Sequence, residues 1–352
     1  GSTNTAIGRD ALGANTTGTE NVGVGNHAGK LITTGSRNTA VGSQAMQSGG
    51  GTASDNVAIG RRALKVVTSG GNNTIVGKGA AQTLTTGTMN SALGSDALQQ
   101  NTTGSNNVAI GRVALAANTT ADNNTAVGHS ALAANTTGAQ NTAVGRESMP
   151  QVTTGVNNST LGYNTLYSAG LADDNTAVGY RAGYDVTTGD NNLFLGTNAG
   201  RSTAPNGTHT HHSNRIVLGD NNITNAHIKV AWTVTSDERD KADIVDFTKG
   251  LDIVNALRPV TFVWDMRSNY SNDLSVTPDG SKKSNRTEIG LIAQEVETVE
   301  KANGYGSNEN DCLFIDKSEN EKHYGLRYEK LIPVLINSIK ELSVKVKALE
   351  TG

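Results

Sequence analysis

The sequence predicts a mainly β protein: a β-solenoid of 17-residue repeats, then a small α+β domain that ends in a coiled coil. Three observations predict this fold class. A Gly/Asn/Thr/Ala phrase recurs every 17 residues through residues 1–200, which is typical of solenoids. Only 35% of the 352 residues are hydrophobic and 4% are aromatic, fewer than one compact core needs. Apolar residues with heptad spacing occupy the C-terminal end.

Composition and charge exclude several classes of protein. The formal net charge is −3, too small for a chain that is kept disordered by its charge. The single cysteine, Cys312, excludes an internal disulfide framework. No apolar run reaches membrane-spanning length, and no basic patch alternates with aromatic residues. We therefore expect neither membrane insertion nor nucleic-acid binding.

The repeat region, residues 1–200, is marked by the glycine that closes each NTAVG-like phrase. Twelve such glycines are separated by eleven intervals, of which ten are 17 residues long and one is 18. They are Gly8, Gly25, Gly42, Gly60, Gly77, Gly94, Gly111, Gly128, Gly145, Gly162, Gly179 and Gly196. So strict a period predicts stacked coils rather than low-complexity sequence.

Each coil is predicted to consist of short strands and turns. In NTAVG, small and β-branched residues alternate as in a half-buried strand, while Gly and Asn tolerate the left-handed backbone that turns need. A coil of 17 residues has room for only two short strands. Stacking at about 4.8 Å gives a rod of roughly 55–60 Å, along which equivalent asparagines form a ladder.

The core of one coil should be thin, since it offers Ala, Val, Ile and an occasional Leu. Each coil then buries little apolar area, and long apolar stripes remain exposed. We expect three chains to associate around a common axis, so that the solenoid is a homotrimeric β-roll. The alternative function of this region is that of a passive spacer with no binding pocket.

The neck, residues 201–229, breaks the period and contains three of the seven histidines in the segment THTHH. His209 and His211 are two positions apart, so on a strand both would point the same way. Two imidazoles from each of three chains would provide an octahedral site for an on-axis transition metal. No other cofactor is expected. The alternative is an exposed loop whose histidines are solvated.

The C-terminal domain, residues 230–327, is predicted to be small and α+β. In HIKVAWTVTS, the alternation of Ile228, Val230, Trp232 and Val234 predicts a strand that delivers Ser236 to the junction. Further along we expect a helix over 251–257 stopped by Pro259, a strand from Val260 to Trp264, a polar loop over 267–287 and a helix after Gly290.

Residues 328–352 are predicted to form a coiled-coil helix. The seam residues follow a 4,3,4,3 spacing and are Tyr328, Ile332, Leu335, Ile339, Leu342, Val346 and Leu349. Pro333 lies near the start of the helix, where it is tolerated. Mixed Ile and Leu at the seam do not dictate a dimer, and a trimer fits the predicted rod. The alternative is an amphipathic helix that packs on its own domain.

The repeat phrase NTAVGxxAL, over roughly residues 3–200, resembles two groups of proteins. One is the head of trimeric autotransporter adhesins, and the other is the shaft of phage tail fibres. The resemblance implies an interlocked trimeric β-roll and does not choose between these settings.

A second resemblance spans residues 230–350. The segments that carry it, in order, are TSDERDKADI, GLDIVNALRPVTFVW, IGLIAQEVE and YGLRYEKLIPVLINSIKEL. They resemble the C-terminal intramolecular chaperone of phage tail fibres and tailspikes, the self-cleaving domain of peptidase family S74. The resemblance implies that this domain gathers three chains, promotes folding of the β-structured shaft, and then cuts itself off as a serine endopeptidase that acts once, in cis.

The same resemblance implies the residues of the site. The scissile bond is Thr235–Ser236, with Ser236 as the nucleophile and Lys241 as its general base. A lysine accepts a proton only when it is neutral, so it must be desolvated or crowded by another cation. Arg239 is the candidate for such crowding.

Three carboxylates near the site should oppose this chemistry. Asp237, Glu238 and Asp240 favour the ammonium form of a nearby lysine, so we expect the site to become competent when trimer assembly rearranges the charges. Some members of the family also use a histidine some forty residues after the serine, but none lies between His227 and His323. The alternative is an ion-paired turn without cleavage activity.

The interpretation that best fits these patterns is a fragment of a phage tail fibre or tailspike, located in the virion and assembled in the host cytoplasm. The shaft would serve host attachment or act as a spacer. The expected partners are two further copies of the chain, other tail proteins, and a host-surface receptor or glycan. Gln294, Glu295 and Arg327 lie within the matching motifs, and we expect structural roles for them.

Two other functions remain alternatives. A trimeric bacterial surface adhesin should end in a membrane β-barrel, whereas this chain ends in a predicted coiled coil. A glycan-degrading tailspike needs paired acidic residues in a groove, whereas the repeats are poor in Asp and Glu and lack aromatic platforms for sugars.

Overall fold

The computed structural model describes residues 1–47, 51–201, 209–223, 225–229, 232–271, 276–307, 311–317 and 324–351. The chain divides into two compact units, residues 1–222 and residues 223–352. The first unit contains the repeats with most of the neck. The second contains the predicted α+β domain and the C-terminal helix.

The first unit is a parallel β-solenoid, as predicted. Each repeat contributes one strand of three residues, and thirteen strands pair in parallel, in chain order, in a single sheet. The strands are β1 (Thr5–Ile7), β2 (Val22–Val24), β3 (Thr39–Val41), β4 (Val57–Ile59), β5 (Thr74–Val76), β6 (Ser91–Leu93), β7 (Val108–Ile110), β8 (Thr125–Val127), β9 (Thr142–Val144), β10 (Ser159–Leu161), β11 (Thr176–Val178), β12 (Leu193–Leu195) and β13 (Ile216–Leu218). The last of these comes from the neck, after a longer connection.

Turns, rather than a second strand, form the return path of the coils that the structure describes. Left-handed backbone recurs two and four residues after the strand-ending glycine, as at Arg62 (φ 61°) and Leu64 (φ 49°). This conformation is unfavourable for a leucine. The side chain of Leu64 is fully buried, so packing in the core compensates for the backbone strain.

Alanine lines the interior of the coils. The middle residue of a strand points inward, as Ala58 and Ala109 do, while both of its neighbours on the strand are at least partly exposed. The following turn adds a second buried alanine and a buried leucine, such as Ala114 and Leu115. Each coil therefore buries little apolar volume, which agrees with the thin core that the sequence predicts.

A column of buried asparagines runs along the solenoid from Asn21 to Asn192. As far as Asn175, each side-chain oxygen accepts the backbone N–H of the asparagine one coil further on, as Asn90 Oδ1 does from Asn107 N at 3.0 Å. Each side-chain nitrogen donates across its own coil, as Asn107 Nδ2 does to the Ala121 carbonyl at 2.9 Å. The predicted ladder is confirmed, and it supplies partners for backbone groups that would otherwise be buried unpaired.

The glycine that ends each strand is required by its backbone and by its neighbours. Gly60 has φ +130°, and a Cβ added there would lie 2.6 Å from the carbonyl oxygen of Gly77 in the next coil. Coils that stack at strand spacing thus leave no room for a side chain at this position. This steric constraint accounts for the regularity of the glycine in the sequence.

The second unit contains three helices and two antiparallel strand pairs in its described residues. They are α1 (Leu251–Ala256), β14 (Val260–Val263), β15 (Thr287–Gly290), α2 (Ala293–Ala302), β16 (Ile315–Lys317), β17 (Tyr324–Leu326) and α3 (Leu331–Thr351). Strand β14 pairs with β15, and β16 pairs with β17. The buried side chains of Ile253, Val296, Phe314, Ile315 and Val334 form its core.

The predicted helices and the strand at Val260 are confirmed. Strand β15 begins at Thr287, the last residue of the segment predicted as a loop, and was not predicted. Strands β16 and β17 were not predicted either, because each has only three residues. No described helix has the length and apolarity needed to cross a membrane.

Candidate functional site

The junction after Thr235 folds into a short 3₁₀ turn over Glu238–Asp240. Asp237 caps the turn, because its carboxylate accepts the Arg239 backbone N–H at 2.9 Å. The Arg239 guanidinium also donates to Asp237, with an Nη2–Oδ2 distance of 2.6 Å. This hydrogen-bonded pair holds the pKa of the Asp237 carboxyl below its ordinary value. The mixed charges of the junction therefore stabilise a local turn.

The turn brings Ser236 and Lys241 together. Lys241 Nζ lies 2.7 Å from Ser236 Oγ and 3.2 Å from the Ser236 carbonyl oxygen. The shorter distance is the one that proton transfer between a hydroxyl and an amine requires. The two residues predicted as nucleophile and base are thus in hydrogen-bond contact, and their catalytic role stays a prediction.

The charges around Lys241 differ from the expectation. Arg239 does not serve as a crowding cation, because its guanidinium is bound to Asp237. The same ion pair withdraws Asp237 from Lys241. In the described parts of the chain, no carboxylate forms an ion pair with the lysine, whose side-chain partner is Ser236.

The site is open to solvent in the single chain. Ser236 and Lys241 are exposed, so the chain by itself does not provide the desolvation that a lysine base requires. Apolar side chains nearby in sequence are exposed as well: Trp232 by 74% and Val234 by 77% of their surface. Exposed apolar side chains of this size are typical of surfaces through which proteins associate.

The strand predicted to deliver Ser236 is not formed by the described residues of that segment. Ile228, Trp232 and Val234 lie in irregular backbone, and Val230 falls outside the described residues. The apolar alternation is real, but in one chain it has no neighbouring strand to pair with. The alternation predicted a strand that the single chain does not form, because a strand needs a neighbouring strand as its hydrogen-bonding partner.

The histidines of the neck do not share one face. His209 is 3% exposed, with its ring centroid 6.2 Å from that of Phe194 and 5.3 Å from that of His212. His211 is exposed, and its Nδ1 lies 2.9 Å from the Thr188 hydroxyl. The prediction that His209 and His211 point the same way is wrong, because their segment is irregular and not a strand.

This arrangement bears on the on-axis metal. A buried His209 does not fit an axial site that three chains would share. Within the residues that the structure describes, no three His, Cys, Asp or Glu side chains are grouped to hold a metal ion. The metal stays a prediction about the assembled protein.

The remaining motif residues have partners inside the second unit. Glu295 accepts a hydrogen bond from Arg258 Nε at 3.1 Å, and Arg327 Nη2 donates to Asp316 at 3.2 Å. The carbonyl of Gln294 accepts the Thr298 hydroxyl within α2. The contacts of Glu295 and Arg327 join different elements of the second unit, and the contact of Gln294 lies within α2, so all three residues have the structural surroundings that we expected.

The C-terminal helix has two distinct faces. Val334 and Ser338 are buried, and the helix contacts α1. The heptad seam lies elsewhere and is open: Ile339 is 66% exposed and Leu349 84%. The helix therefore packs on its own domain through one face, while the seam residues from Ile332 to Leu349 stay exposed in the single chain. Tyr328 precedes the helix, and its hydroxyl accepts the Leu291 backbone N–H at 3.0 Å.

Comparison with known families identifies part of this unit. A family model described as the chaperone of endosialidase (Peptidase_S74) matches residues 236–305. The match begins at Ser236 and extends through α2. No curated protein and no solved structure matches the chain. Residues 236–305 of the second unit are thus similar to the chaperone of endosialidase, and a β-solenoid precedes them in the chain.

Proposed function

We propose that residues 236–352 gather three copies of the chain, promote folding of the solenoid, and then cleave the Thr235–Ser236 bond. The observation that carries this proposal is the contact of 2.7 Å between Lys241 Nζ and Ser236 Oγ, at the first residue of the matched chaperone domain. A nucleophile next to a base, at the start of the matched domain and after the end of the solenoid unit, is what release of that domain from the solenoid requires.

The open helix seam supports assembly into a trimer. Its residues have large apolar side chains at heptad spacing, and they are exposed although another face of the same helix is already packed. A coiled coil of three helices would bury the seam by knobs-into-holes packing. Mixed isoleucine and leucine at the seam is compatible with three strands.

The solenoid offers a second surface for the same assembly. The third residue of each strand is apolar and faces outward, and Ile7, Leu93, Leu161 and Leu195 are all exposed. They form one continuous stripe along thirteen parallel strands. Three such stripes that meet around an axis would bury the apolar area that single coils leave in water.

The cleavage chemistry follows from the position of the serine. Lys241 in its neutral form takes the proton from Ser236 Oγ, and the oxygen attacks the carbonyl carbon of Thr235. The peptide C–N bond breaks while an ester C–O bond forms, and the proton held by Lys241 passes to the Ser236 amine. Water then hydrolyses the ester, which releases the Thr235 carboxylate and restores the serine hydroxyl.

Assembly should control this reaction. Another copy of the chain that covers Trp232 and Val234 would also exclude water from Lys241, and a desolvated lysine is more readily neutral. Cleavage would then follow correct trimer formation and report it.

We place this activity in a phage tail fibre or tailspike of the virion. The shaft that remains after cleavage would serve host attachment or act as a spacer between other tail proteins. The chaperone domain matched at residues 236–305 and the solenoid that precedes it support this setting.

The experiment is mass spectrometry of the expressed chain with a matched pair of variants. We expect one fragment that ends at Thr235 and one that begins at Ser236. Ser236→Ala should leave a full-length trimer, because it removes only the nucleophile. Thr233→Ala, which removes another exposed hydroxyl of the same segment, should cleave as the unaltered chain does. Cleavage at the same bond in Ser236→Ala would reject the assignment.

A further inference from the structure

The last coils of the solenoid present a surface that the other coils lack. The first 162 residues contain no Phe, Tyr or Trp, whereas Tyr163, Tyr167, Tyr180 and Tyr184 follow within a few coils. Tyr163 stacks on Tyr180 with ring centroids 5.7 Å apart, and Tyr167 stacks on Tyr184 at 4.9 Å. Two short columns of tyrosine therefore run side by side along the solenoid.

Three arginines complete this surface, which we call the tyrosine–arginine surface. The guanidinium carbon of Arg181 lies 5.0 Å from the ring centroid of Tyr180 and 5.5 Å from that of Tyr184, so Arg181 joins the two columns. Arg146 lies over Tyr163 at 5.5 Å, and Arg201 lies over Tyr184 at 4.9 Å. Such cation–π contacts hold the guanidinium groups in place.

The charge of Arg181 is not compensated within the described part of the chain. Arg146 binds Glu147 at 3.0 Å, and Arg201 lies 3.5 Å from Asp185. For Arg181, by contrast, no ion pair is formed among the described residues, and its buried Nε has no hydrogen-bond partner there. A guanidinium fixed between two rings and lacking a carboxylate is prepared to bind an anion.

Folding of the coils does not explain these rings. They occupy the first and fifth positions after the strand-ending glycine, where other coils have polar residues such as Ser43, His129, Lys30 and Gln99. The core beneath them is filled by other side chains, among them Leu166. The tyrosines therefore add an outer layer to a coil that folds elsewhere without them.

The hydroxyl groups of the four tyrosines add donors and acceptors to the surface. Among the described residues, none of these hydroxyls forms a hydrogen bond with the protein, and Tyr180 is exposed. The ring faces are engaged by one another and by arginines. A ligand would therefore meet ring edges, phenolic hydroxyls and guanidinium N–H groups, which together suit a polyhydroxylated molecule with a carboxylate.

The surroundings favour a sugar over a protein or a nucleic acid. A protein partner needs a desolvated apolar centre, but the partly exposed positions beside Arg181 on its turn-facing row are polar, among them Ser130 and Asn198. The exposed Leu161 and Leu195 belong to the separate apolar stripe that we assign to chain assembly. Single-stranded nucleic acid needs a continuous positive groove, whereas Glu147 and Asp185 interrupt the positive charge.

We propose that the tyrosine–arginine surface binds a glycan that contains a sugar carboxylate, with Arg181 as the residue that binds the carboxylate. The inference rests on the proposed function in that it makes attachment, not spacing, the role of the mature shaft. Cleavage of Thr235–Ser236 is separate from it and is read on the same samples by gel. Failure of the binding test with normal cleavage would thus refute this inference alone.

The test is titration calorimetry on the full chain with two ligands that differ only in charge. One is a tetrasaccharide of alternating glucuronic acid and N-acetylglucosamine, and the other is the same tetrasaccharide with its carboxylates reduced to alcohols. We expect the acidic ligand to bind at least about tenfold more tightly than the reduced one. Equal affinities, or no binding of either ligand, would overturn the proposal.

Matched variants locate the site. Arg181→Gln should weaken binding of the acidic tetrasaccharide at least about tenfold, with an unchanged melting temperature, since Gln44 occupies the equivalent position of another coil. Arg62→Gln changes an arginine at that same coil position, far from any tyrosine in sequence, and should leave binding unchanged. Full binding by Arg181→Gln, an equal loss in Arg62→Gln, or tighter binding of a single-stranded oligonucleotide would each reject the sugar site.

Discussion

The two units of this chain differ in how much of their structure one copy completes by itself. In the solenoid, the Asn107 side chain donates to the Ala121 carbonyl of its own coil and accepts the Asn124 backbone N–H of the next coil. Both hydrogen bonds stay within one chain. In the second unit, Ser236, Lys241 and the helix seam are all exposed, although a small core has formed beside them. One unit is repetitive, with small apolar side chains and a hydrogen-bonded asparagine ladder inside it, and the other keeps large apolar side chains exposed in the single chain.

This difference explains how the two units can depend on each other. A solenoid core of alanines buries little apolar area per residue, so folding of one solenoid chain gains little free energy from apolar burial. The heptad seam is short and strongly apolar, so the helices of several chains can associate before the solenoid folds. In the proposed function, the second unit therefore sets the number and register of the chains, and the solenoid coils stack after the chains are aligned.

The largest expected effect comes from a charge in the seam. Ile339→Lys alters an exposed residue of the single chain, so it should leave the second unit folded but abolish the trimer, because lysines from three chains would be buried together. Sedimentation velocity measures the assembly. Lys347→Ala, an exposed change on the same helix outside the seam, should remain trimeric. A stable Ile339→Lys trimer would mean that the seam is not the interface.

A change at Lys241 should separate cleavage from assembly. Lys241→Met keeps most of the side-chain volume and removes the base, so cleavage should slow by at least about 10³-fold while the trimer forms normally. Timed gels after refolding measure the rate. Arg239→Gln should cleave within about tenfold of the unaltered rate, because Arg239 binds Asp237 rather than the reacting atoms. Equal loss in both variants would indicate that the turn matters and the base does not.

A change in the asparagine ladder should weaken only the solenoid. Asn107→Leu leaves the buried backbone N–H of Asn124 without a partner and removes one of the two side-chain donors to the Ala121 carbonyl, the other being Asn118 Nδ2. It should therefore lower the free energy of unfolding by about 2 kcal/mol. Far-UV circular dichroism in denaturant measures the loss. Asn123→Gln, beside the ladder and exposed, should change it little, since Gln140 occupies the same position one coil later. Equal losses would show that the ladder has no special role.

Acid should weaken the second unit before it affects the ladder. Hydrogen bonds from Lys301 and Lys317 hold the pKa of Glu297 below its ordinary value. The stability that Glu297 contributes is therefore present above the pKa of the unfolded chain, about 4.3, and is lost as the pH falls through the folded pKa.

Tryptophan fluorescence can measure this smallest effect, because Trp232 and Trp264 are the only two tryptophans and both lie in the second unit. We expect Glu297→Gln to cost about 1 kcal/mol at neutral pH and to flatten the acid dependence. The asparagine amides do not titrate, so the far-UV signal of the solenoid should persist to lower pH. Acid loss of both signals together would contradict the difference between the units.

The sequence predicted the solenoid well because its constraint is local and repeated. The backbone of the next coil leaves room only for glycine at the end of each strand, as at Gly60. The spacing of these glycines therefore predicts the length and number of the coils. The prediction of two short strands per coil was wrong, since each coil has one strand and returns through left-handed turns. Such turns, at residues such as Leu64, cannot be recognised from the composition of the repeat.

The junction was predicted in its residues but not in its conformation. The proximity of Ser236 and Lys241 followed from a family resemblance, and the structure brings the two together. The pairing of Arg239 with Asp237 depends on a turn only three residues long, which the pattern of charges does not specify. His209 likewise lies buried because Phe194 and His212 pack beside it, a tertiary contact that spacing along the chain does not report.

The most direct measurement compares refolding of the intact chain with refolding of residues 1–235 alone. Both are unfolded in denaturant and diluted at equal concentration, and recovery of the solenoid is followed by far-UV circular dichroism and sedimentation. We predict that the intact chain regains a trimeric solenoid and that the shaft alone stays largely unfolded or aggregates. Equal recovery of a trimeric solenoid by the shaft alone would contradict the account, because no chaperone would then be needed.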